Sequence, residues 1–482
     1  MTTDIAPSIE ELRAHLARAN QSHLLAFWDQ LEDDARTRLI DDLAAIDFDR
    51  VPGWIEQYVR HKPNFAPKGD IAPPRSYAFD DTIWDQAQYR LIGEGLLRAG
   101  KVAAFTVAGG QGTRLGYDGP KGCYPGTPIT RKPLFQVFAE WLLAANRRWG
   151  ATIPWYIMTS PLNHDATVQF FESSNHFDLD PAHIMFFPQG VMPSFDMTTG
   201  KILLAEPHKI ATNPDGHGGS LRALAASGAL ADMRARGIEH ISYFQVDNPL
   251  CRVVDPIFLG LHAAAPDSSA EMSTKVVSKT EPAEKVGVVA QVDGVTQVLE
   301  YSDLSDELTS ARDPDGRLRL RAGNIAVHAI SVDFVERLNA GGACHLPFHR
   351  AEKKVPCVDP TTGRAIDPNA PNGIKLEMFV FDAIPLAGKH TPGKGSIVYE
   401  VDRVDEFAPI KNADGADSPA TSAALQTERV ARWLEWRQHP VPRRADGSPD
   451  CVLEVSPITA MTKLDFQSMM LPEVNPGAKV AL

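Results

Sequence analysis

Apolar residues fall at helical spacing near the start of the chain and in short runs over most of the rest. The first part predicts short amphipathic helices, with apolar positions at Ile9, Leu12, Leu16, Leu24, Trp28, Leu31, Leu39 and Leu43. From residue 101 to about 384, apolar runs alternate with amphipathic segments, which is typical of an open α/β sheet. The pattern predicts a central Rossmann-like, mixed and mostly parallel sheet with helices on both faces.

The same pattern divides the chain into three predicted parts. Residues 1–100 form a helical N-terminal region, residues 101–390 the sheet domain, and residues 391–482 a small C-terminal domain that contains β-structure. A chain of 482 residues exceeds what one hydrophobic core usually supports, so a division into about three units fits its length.

Three segments give specific structural expectations. Asp81 is expected to cap a helix that runs to Gly100, with four side chains turned inward, namely Trp84, Leu91, Ile92 and Leu96. A second helix is expected over residues 220–236. Asp293-Gly294 separates two apolar runs, which predicts a two-residue β-hairpin that interrupts the alternation of strand and helix.

The segment 374–384 has a helical stripe of apolar positions. The stripe consists of Leu376, Phe379, Val380, Ala383 and Ile384. It predicts a helix in which Phe379 belongs to the core. Phe381 falls off the stripe, and such an aromatic side chain needs another apolar surface to pack against. A bound ligand is one candidate for that surface.

A glycine-rich loop follows the first strand of the sheet. Residues 101–108 are almost all apolar or β-branched, which predicts a strand buried on both faces. Gly109, Gly110 and Gly112 come next, and their bare backbone lets successive N–H groups converge on a phosphate or a base edge. Arg114 and Lys121 add positive charge to the same loop. The stretch therefore predicts a nucleoside triphosphate site.

Two other phosphate-binding motifs fail on spacing. No G-x-x-x-x-G-K-[ST] occurs, because Lys121 precedes Gly122 and no Ser or Thr follows. Leu115 stands where a dinucleotide fingerprint needs Gly or Ala, which argues against a nicotinamide dehydrogenase.

Three further positions lie where strands or loops end. Asp247 closes an apolar strand, and a carboxylate beside a triphosphate loop is where Mg²⁺ is needed. Gln189 follows another strand, and its amide can pair with a uracil edge or face solvent. Asn213-Pro-Asp-Gly-His-Gly-Gly219 enters a helix, and such an entry brings a helix N-terminus to a ligand.

Charge and cysteine usage exclude several classes of function. The net charge is −13 with no basic run, so nucleic acid is not an expected partner. Five scattered cysteines without a C-x-x-C pair predict neither disulfides nor a zinc site. No basic leader and no apolar run of membrane length occur, so we expect a cytoplasmic protein without a membrane partner. His345 and His349 are four apart, but Pro347 between them argues against a metal pair, and both read as ordinary polar residues.

The glycine loop carries a resemblance to a known family. Ala108-Gly-Gly-Gln-Gly-Thr-Arg-Leu-Gly116, followed by Pro120-Lys-Gly122, resembles the signature of the UDP-sugar pyrophosphorylases. Within that family it is most similar to the eukaryotic-type UDP-N-acetylhexosamine pyrophosphorylases. The resemblance recurs in order from about residue 80 to the C-terminus. It implies the nucleotidyltransferase form of the α/β sheet.

The resemblance assigns roles residue by residue. It implies that Ala108, Gly109, Gly110, Gln189 and Gly216 hold UTP or its uridine, and that Arg114, Lys121 and Lys411 are the catalytic cations. Lys411 lies in Glu406-Phe-Ala-Pro-Ile-Lys-Asn-Ala413, which is similar to the family's Phe-x-Pro-Leu-Lys-Asn-Ala. The implied sugar contacts are His217, Glu300, Asn324, Phe379 and Phe381. His217 departs from the asparagine usual in N-acetylhexosamine enzymes, and glucose and broad UDP-sugar enzymes have a similar Gly-His-Gly.

The implied reaction needs no protein base. A sugar 1-phosphate oxygen attacks the α-phosphorus of UTP in line and pyrophosphate leaves, so catalysis is positioning plus charge stabilisation, with Mg²⁺ as cofactor. The first choice of substrate is N-acetylglucosamine 1-phosphate, and a UDP-glucose or broad-specificity UDP-sugar pyrophosphorylase is the alternative. A non-catalytic nucleotide-binding protein is a lesser one. We expect a monomer or a weak homo-oligomer.

Overall fold

The computed structural model describes residues 8–342, 344 and 346–482, and it divides into two compact units. The smaller unit contains the described residues of Met1–Phe65, Gln189–Ser220 and His345–Val380. The larger unit contains Ala66–Pro188, Leu221–Cys344 and Phe381–Leu482, where described. Residues 1–7 of the predicted helical region and His345 lie outside the described residues. These units differ from the three predicted parts of the chain and do not test them. The predicted division at residues 100 and 390 therefore stays a prediction.

A mixed sheet forms the centre of the larger unit, as the sequence predicts. Its strands run in the spatial order Tyr77–Ala78, Val398–Glu400, Met272–Ser278, Ala322–Ser331, His240–Gln245, Val102–Val107, Trp155–Thr159 and Ile184–Pro188. The last four strands of this order are parallel to one another. Ala322–Ser331 is antiparallel to both of its neighbours. Three more strands, Ile71–Ala72, Val288–Val292 and Val295–Leu299, join the sheet where Val288 pairs with Gly323 of Ala322–Ser331.

The larger unit also contains several helices, and the last of them, Pro419–Trp436, packs against the C-terminal strand Val452–Glu454. The helices are Gln86–Arg98, Leu134–Trp149, His164–Ser173, Ala229–Ala235, Pro256–Ala264, Asp306–Ser310, Val332–Leu338, Arg403–Glu406 and Pro419–Trp436. Gly93 and Gly260 let Gln86–Arg98 and Pro256–Ala264 approach closely, since a Cβ on either glycine would meet backbone of the other helix within 2 Å. The C-terminal part adds a small parallel pair, Val452–Glu454 with Lys479–Ala481.

The smaller unit combines short helices with two- and three-stranded sheets. Its helical segments are Ile9–Arg18, Ser22–Leu25, Trp28–Gln30, Asp33–Ala44, Val51–Trp54 and Ile55–Arg60. Its strands are Val191–Pro193, Phe195–Asp196, Leu204–Glu206, Lys209–Ile210, Thr212–Pro214, His349–Lys353, Cys357–Val358, Ala365–Ile366 and Gly373–Glu377. The predicted N-terminal helices are confirmed at both ends of that stretch, whereas Leu24 and Trp28 lie in 3₁₀ turns. The helix Gly219–Ala226 carries the chain into the larger unit.

Two of the predicted helices differ from the structure. The helix predicted from Asp81 starts at Gln86, and the capping carboxylate is that of Asp85, which accepts hydrogen bonds from the Ala87 and Gln88 N–H groups. Leu91 points outward and is 66% exposed. The helix predicted over residues 220–236 is broken at Gly228, whose φ of 82° lies in the left-handed region. Glycine enters that region without steric cost, and this ends one helix and starts the next.

The helix predicted over residues 374–384 is absent from the first half of that segment. Gly373–Glu377 is a strand, and a 3₁₀ turn follows over Val380–Leu386. Ile374 and Leu376, two positions apart, are both buried on one face of this strand, and a short strand followed by a turn imitates helical spacing. The predicted hairpin at Asp293-Gly294 is confirmed, because both residues have positive φ, 50° and 80°, as a type I′ turn requires.

Buried histidines give the larger unit a pH-dependent stability. The His240 and His262 rings meet edge to face at 5.2 Å, and burial lowers the pKa of both below the usual value for histidine. The unfolded chain therefore binds more protons than the folded chain once the pH falls below about 6.5, and each such histidine lowers the free energy of unfolding by up to about 1.4 kcal/mol per pH unit. The contribution of these histidines to the free energy of unfolding is therefore fully present above that pH and is lost as the pH falls below it.

We expect the urea midpoint to fall as the pH is lowered from 7 to 5, and the His262→Gln variant to fall less steeply. Glutamine keeps a partner for the Ser273 hydroxyl, which lies 2.9 Å from His262 Nδ1, but cannot be protonated in this range. Urea unfolding at several pH values measures the slope, with exposed His15→Gln as the control. Equal slopes for wild type and His262→Gln would contradict this source of the pH dependence.

Candidate functional site

The glycine loop and Asp247 emerge side by side at one edge of the central sheet. Val102–Val107 and His240–Gln245 are adjacent parallel strands, paired from Val102 opposite His240 to Val107 opposite Gln245. The chain leads from Val102–Val107 to strands on one side of the sheet and from His240–Gln245 to strands on the other. Ligands of open α/β sheets bind beyond the carboxyl ends of strands at such a switch point.

The glycine loop folds back on itself. The Gly112 N–H donates to the Gly119 oxygen at 2.9 Å, and the Lys121 N–H donates to the Gly110 oxygen at 3.1 Å. Gly119 has a φ of 144°, and a Cβ on Gly112 would lie 2.7 Å from the Tyr117 ring. The fold of the loop therefore depends on Gly112 and Gly119, and Gly110 is exposed where the loop begins.

The Asn163 side chain is hydrogen-bonded to the residues that begin this loop. Its Nδ2 donates to the Ala108 oxygen at 3.0 Å and to the Gly110 oxygen at 3.2 Å, while its Oδ1 accepts from the Ser160 N–H. The side chain is buried, so both of its polar atoms are used inside the protein. Sequence reasoning missed this residue. The sequence feature that could have indicated it is the turn Ser160-Pro-Leu-Asn163, at the end of the neighbouring strand.

Two lysines converge on Asp247, and we call Lys121, Asp247 and Lys411 the Asp247 cluster. Lys121 Nζ and Lys411 Nζ each lie 3.9 Å from Asp247 Oδ2. The Ile410 N–H donates to the Asp247 main-chain oxygen at 2.8 Å, which fixes Lys411 beside the carboxylate. The side chains of Lys121 and Asp247 are only 16% and 12% exposed. The structure thus unites three residues that are 126 and 164 positions apart in the sequence.

The electrostatics of the cluster favour an incoming anion. Burial lowers the pKa of the Lys121 ammonium, Asp247 raises it, and the nearby charges of Lys411 and Arg114 lower it further. Arg114 is therefore within electrostatic reach of Lys121. Lys121 and Lys411 share the Asp247 carboxylate beside the glycine loop, and the charge of Arg114 acts on Lys121. A polyphosphate placed there would relieve their mutual repulsion.

Asp247 fits a magnesium ion that arrives with its substrate. Among the described residues, no three His, Cys, Asp or Glu side chains form a group able to enclose a metal ion. Mg²⁺ keeps several waters and is commonly held by one or two carboxylates together with substrate phosphates. A single, mostly buried carboxylate between two lysines meets that requirement.

The loop Asp215–Gly219 in the smaller unit packs directly against main chain. The Gly218 N–H donates to the Met378 oxygen and the Met378 N–H donates to the Asp215 oxygen, both at 2.8 Å. A Cβ on Gly218 would lie 2.6 Å from the Met378–Phe379 backbone, and Gly216 has a φ of 82°. The Asp215 N–H donates to the oxygen of Gly190, the residue after Gln189, so Gly190 is hydrogen-bonded to the same loop.

A column of four stacked rings includes His217, and we call it the aromatic stack. Phe65 and His349 stack at 4.2 Å, His349 and Phe379 at 4.2 Å, and Phe379 and His217 at 5.1 Å. His217 Nδ1 accepts a hydrogen bond from the Val380 N–H at 3.1 Å. Desolvation, with a smaller effect of His349, lowers the pKa of His217 to about 4. The imidazole is therefore neutral near pH 7, with its proton on Nε2.

The stack corrects the sequence-based interpretation of two residues. Phe379 is partly exposed and lies between two histidine rings, so the prediction that it belongs to the core is wrong. His349 was expected to be an ordinary polar residue, but its ring lies between Phe65 and Phe379. No sequence signal pointed to it, because His217 and His349 are separated by 132 positions.

The other predicted contacts are distributed over both units. In the larger unit, Glu300 and Asn324 both border Gly287: the Asn324 N–H donates to the Gly287 oxygen, and a Cβ on Gly287 would lie 3.1 Å from Glu300 Oε1. Phe381 is buried in the same unit. Gln189 is buried in the smaller unit, next to Gly190.

Comparison with known proteins identifies the family. The model of the UDPGP family, described as UTP--glucose-1-phosphate uridylyltransferase, matches residues 75–420. The UDP-N-acetylglucosamine pyrophosphorylase of Saccharomyces cerevisiae is 36% identical over 432 residues, which cover 86% of this chain and 89% of the yeast protein. The chain belongs to the UDPGP family. The expected resemblance is confirmed, and with it the enzyme class, a UTP:sugar-1-phosphate uridylyltransferase.

Two further proteins extend the similarity over most of the chain. The human UDP-N-acetylhexosamine pyrophosphorylase-like protein 1 is 37% identical over 492 residues, covering 94% of this chain and 93% of its own. The crystal structure of the Trypanosoma brucei uridine diphosphate N-acetylglucosamine pyrophosphorylase in complex with an inhibitor superposes with a TM-score of 0.77. Its identity is 26%, over 94% of this UDPGP family member and 93% of the trypanosomal chain. The predicted fold class is confirmed.

In the part of the chain that the structure describes, no helix is both long enough and apolar enough to span a bilayer. All five cysteines are buried free thiols.

Proposed function

We propose that this UDPGP family member makes UDP-N-acetylglucosamine, or a closely related UDP-N-acetylhexosamine, and pyrophosphate from UTP and the N-acetylhexosamine 1-phosphate. One observation carries the proposal. Lys121 and Lys411 converge on Asp247 at the carboxyl ends of two adjacent parallel strands, beside the glycine loop. The scattered free thiols are consistent with action in the cytoplasm.

The chemistry follows from the charges of this cluster. The sugar 1-phosphate oxygen is already an anion near neutral pH, so it attacks the α-phosphorus of UTP without a protein base. Arg114 and Lys121 hold the triphosphate over the glycine loop. Lys411 stabilises charge on the sugar phosphate and on the departing pyrophosphate. The rate enhancement comes from holding the reacting atoms in line and from fixed positive charge where negative charge increases.

Asp247 is the residue proposed to hold Mg²⁺. When bound, the ion supplies charge neutralisation on phosphate oxygens. Asp247 also holds Lys121 and Lys411 close together, since it attracts both ammonium groups.

The remaining roles concern the uridine and the sugar. Ala108, Gly109 and Gly110 are proposed to contact UTP through their main chain, together with Gln189 and Gly216. The proposed sugar contacts are His217, Glu300, Asn324, Phe379 and Phe381. A preference for glucose 1-phosphate or for several sugars is the second candidate, because the His217 ring occupies the position where N-acetylhexosamine enzymes usually have the smaller asparagine.

The choice of sugar is tested by steady-state rates with UTP and a panel of sugar 1-phosphates. We expect kcat/KM to be highest for N-acetylglucosamine 1-phosphate. The His217→Asn variant removes a ring from the stack while its amide can still accept from the Val380 N–H. The extra space should raise the preference for the N-acetylated sugar over glucose about 10-fold or more, the scale of discrimination by pocket shape.

His208→Asn is the matched control, because His208 also lies in the smaller unit but outside the loop Asp215–Gly219. It should leave the ratio of the two kcat/KM values unchanged. A wild-type preference for glucose 1-phosphate would replace the first candidate by the second. An unchanged ratio in His217→Asn would remove His217 from the sugar contacts.

A further inference from the structure

A buried lysine lies between two carboxylates in the larger unit. The Lys275 side chain is 1% exposed, and its Nζ lies 2.6 Å from Asp255 Oδ2 and 2.5 Å from Glu406 Oε2. Arg252 borders the same carboxylates, with its Nε 3.4 Å from Glu406 Oε1 and its Nη1 3.9 Å from Asp255 Oδ2. We call Lys275, Asp255, Glu406 and Arg252 the Lys275 network.

The surroundings of Lys275 favour the charged form of its side chain. Its Nζ lies 5.6 Å from the ring centroids of both Phe258 and Tyr399, and each ring face attracts a cation. Burial alone would lower the pKa of Lys275, but Asp255 and Glu406 outweigh it and raise the pKa. The network is therefore a charged, paired unit inside the protein and not a set of neutral side chains.

Glu406 connects this network to the segment that carries Lys411. Its main-chain oxygen accepts from Asn248 Nδ2 at 2.6 Å, and Asn248 Oδ1 accepts from the Ala408 N–H at 3.0 Å. Two residues further on, the Ile410 N–H donates to the Asp247 oxygen at 2.8 Å. Residues 406–410 are thus fastened to Asp247 and Asn248 by three hydrogen bonds, directly before Lys411.

Asp255 anchors the other end of the turn that Asp247 begins. Its Oδ1 accepts from the Ile257 N–H at 3.0 Å and so caps the helix Pro256–Ala264. Lys275 holds this cap and Glu406 at the same time. The turn from Asp247 to Asp255 and the segment from Glu406 to Lys411 are therefore both tied to one ammonium group.

Stability alone does not account for such a network. Taking ions out of water is costly, and apolar residues of similar volume often stabilise a protein as well as a buried ion pair does. What the ion pairs add is a defined geometry, because Lys275 has strong contacts only where both carboxylates are within reach. The elements that it ties together are the ones that carry Asp247 and Lys411.

We propose that Lys275 is a positioning residue for the uridylyl transfer, which sets the place of Lys411 against Asp247 through Glu406 and Asn248. This inference rests on the proposed function. Lys275 acts through other residues, since its ammonium group is enclosed by Asp255, Glu406 and two aromatic rings. Its partners on the chain are 20 and 131 positions away.

The Glu406→Gln variant tests the proposal. The amide keeps the shape of the side chain and can still accept from Lys275, but it removes the charge that holds the segment. We expect kcat to fall about 10- to 100-fold, the scale of a small misplacement of a reacting group. KM for UTP and the dissociation constant of UTP from calorimetry should stay within about twofold, because Arg114 and Lys121 lie on a different loop.

A double-mutant cycle with Lys411→Ala separates positioning from a general structural role. If Glu406 acts through Lys411, adding Glu406→Gln to Lys411→Ala should change kcat by no more than about twofold. A structural defect would instead multiply the two losses. Multiplied losses, or an unchanged kcat in Glu406→Gln alone, would overturn the proposal.

Glu140→Gln is the matched control within the larger unit. Glu140 pairs with Lys132 at 2.8 Å, and its side chain is 11% exposed, but the pair has no hydrogen bond to Asp247 or to residues 406–411. Its kcat should equal that of the wild type. If Glu406→Gln does not fold, Lys275→Met with Glu406→Gln removes one charge of each sign and is expected to fold and to show the same loss of kcat.

The wild type is assayed first, because its result distinguishes a failure of the proposed function from a failure of the role of Lys275. A wild type that does not form a UDP-sugar from UTP contradicts the proposed function. An active wild type whose Glu406→Gln variant has full kcat contradicts only the role of Lys275.

Discussion

The Lys121→Ala variant is expected to lose about 10²- to 10³-fold in kcat while it remains folded, the usual scale for removing one preorganised charge donor. Lys121 follows the glycine loop, its main-chain N–H is bonded to the Gly110 oxygen, and its Nζ lies 3.9 Å from Asp247. The ammonium group is mostly shielded from water, so its attraction for a triphosphate is stronger than that of a surface lysine. Steady-state kinetics with UTP and N-acetylglucosamine 1-phosphate measure the loss.

Lys132→Ala provides the comparison for this variant. Lys132 is a lysine of the same unit, 22% exposed and paired with Glu140, but it lies outside the Asp247 cluster. It should reduce kcat by no more than a few-fold, the effect of a change remote from the reacting atoms. Urea unfolding establishes that both variants are folded. Wild-type turnover in a folded Lys121→Ala protein would remove Lys121 from the catalytic cations.

The centre of the candidate site follows from the sequence because its parts are local. An apolar β-branched run, a glycine loop and two cations are adjacent in the chain, and the strand Val102–Val107 is confirmed where the pattern places it. Asp247 also follows from a local rule, since it comes directly after an apolar strand, which ends at Gln245 in the structure. The rule of ligands beyond the carboxyl ends of parallel strands then brings both to one edge.

Other elements were misassigned because two periodicities overlap over short distances. Residues 373–377 form a strand, and a 3₁₀ turn follows at Val380, yet together they reproduce helical spacing. The start of the first helix of the larger unit was also misassigned, because the predicted cap, Asp81, lies well before the first helical residue, Gln86. The structure chooses Asp85, because its carboxylate reaches two N–H groups of the first turn.

The contacts that were missed join residues far apart in the chain. Lys275 and Glu406 are 131 positions apart, and Asn163 holds a carbonyl oxygen 55 positions before it. A single lysine inside an apolar strand gives no sign of its partner, since burial of a charge becomes visible only when its counter-ions are placed. His349 is similar, because its role depends on rings from three separate segments.

The Asp247→Asn variant is expected to have the largest effect of all, a loss of at least about 10³-fold in kcat together with the dependence on Mg²⁺, because a metal ion on a transferring phosphate contributes several kcal/mol. Asparagine keeps the shape of the side chain and the main-chain bond from Ile410 but not the negative charge. Lys121 and Lys411, each 3.9 Å from Asp247 Oδ2, would then lose the carboxylate that they share, while Asp417 stays beside Lys411. Rates measured over a range of Mg²⁺ concentrations test the expectation.

Asp417→Asn is the matched control for that experiment. Asp417 is the other carboxylate beside Lys411, with its Oδ2 3.6 Å from Lys411 Nζ, but its side chain is 40% exposed. Water screens such a pair, so the loss should stay below about 10-fold and the Mg²⁺ dependence should persist. If the two variants exchanged these outcomes, Asp417 would replace Asp247 as the proposed metal ligand. If both kept the wild-type dependence on Mg²⁺, the ion would have to be held outside the Asp247 cluster, and the place of the triphosphate would have to change with it.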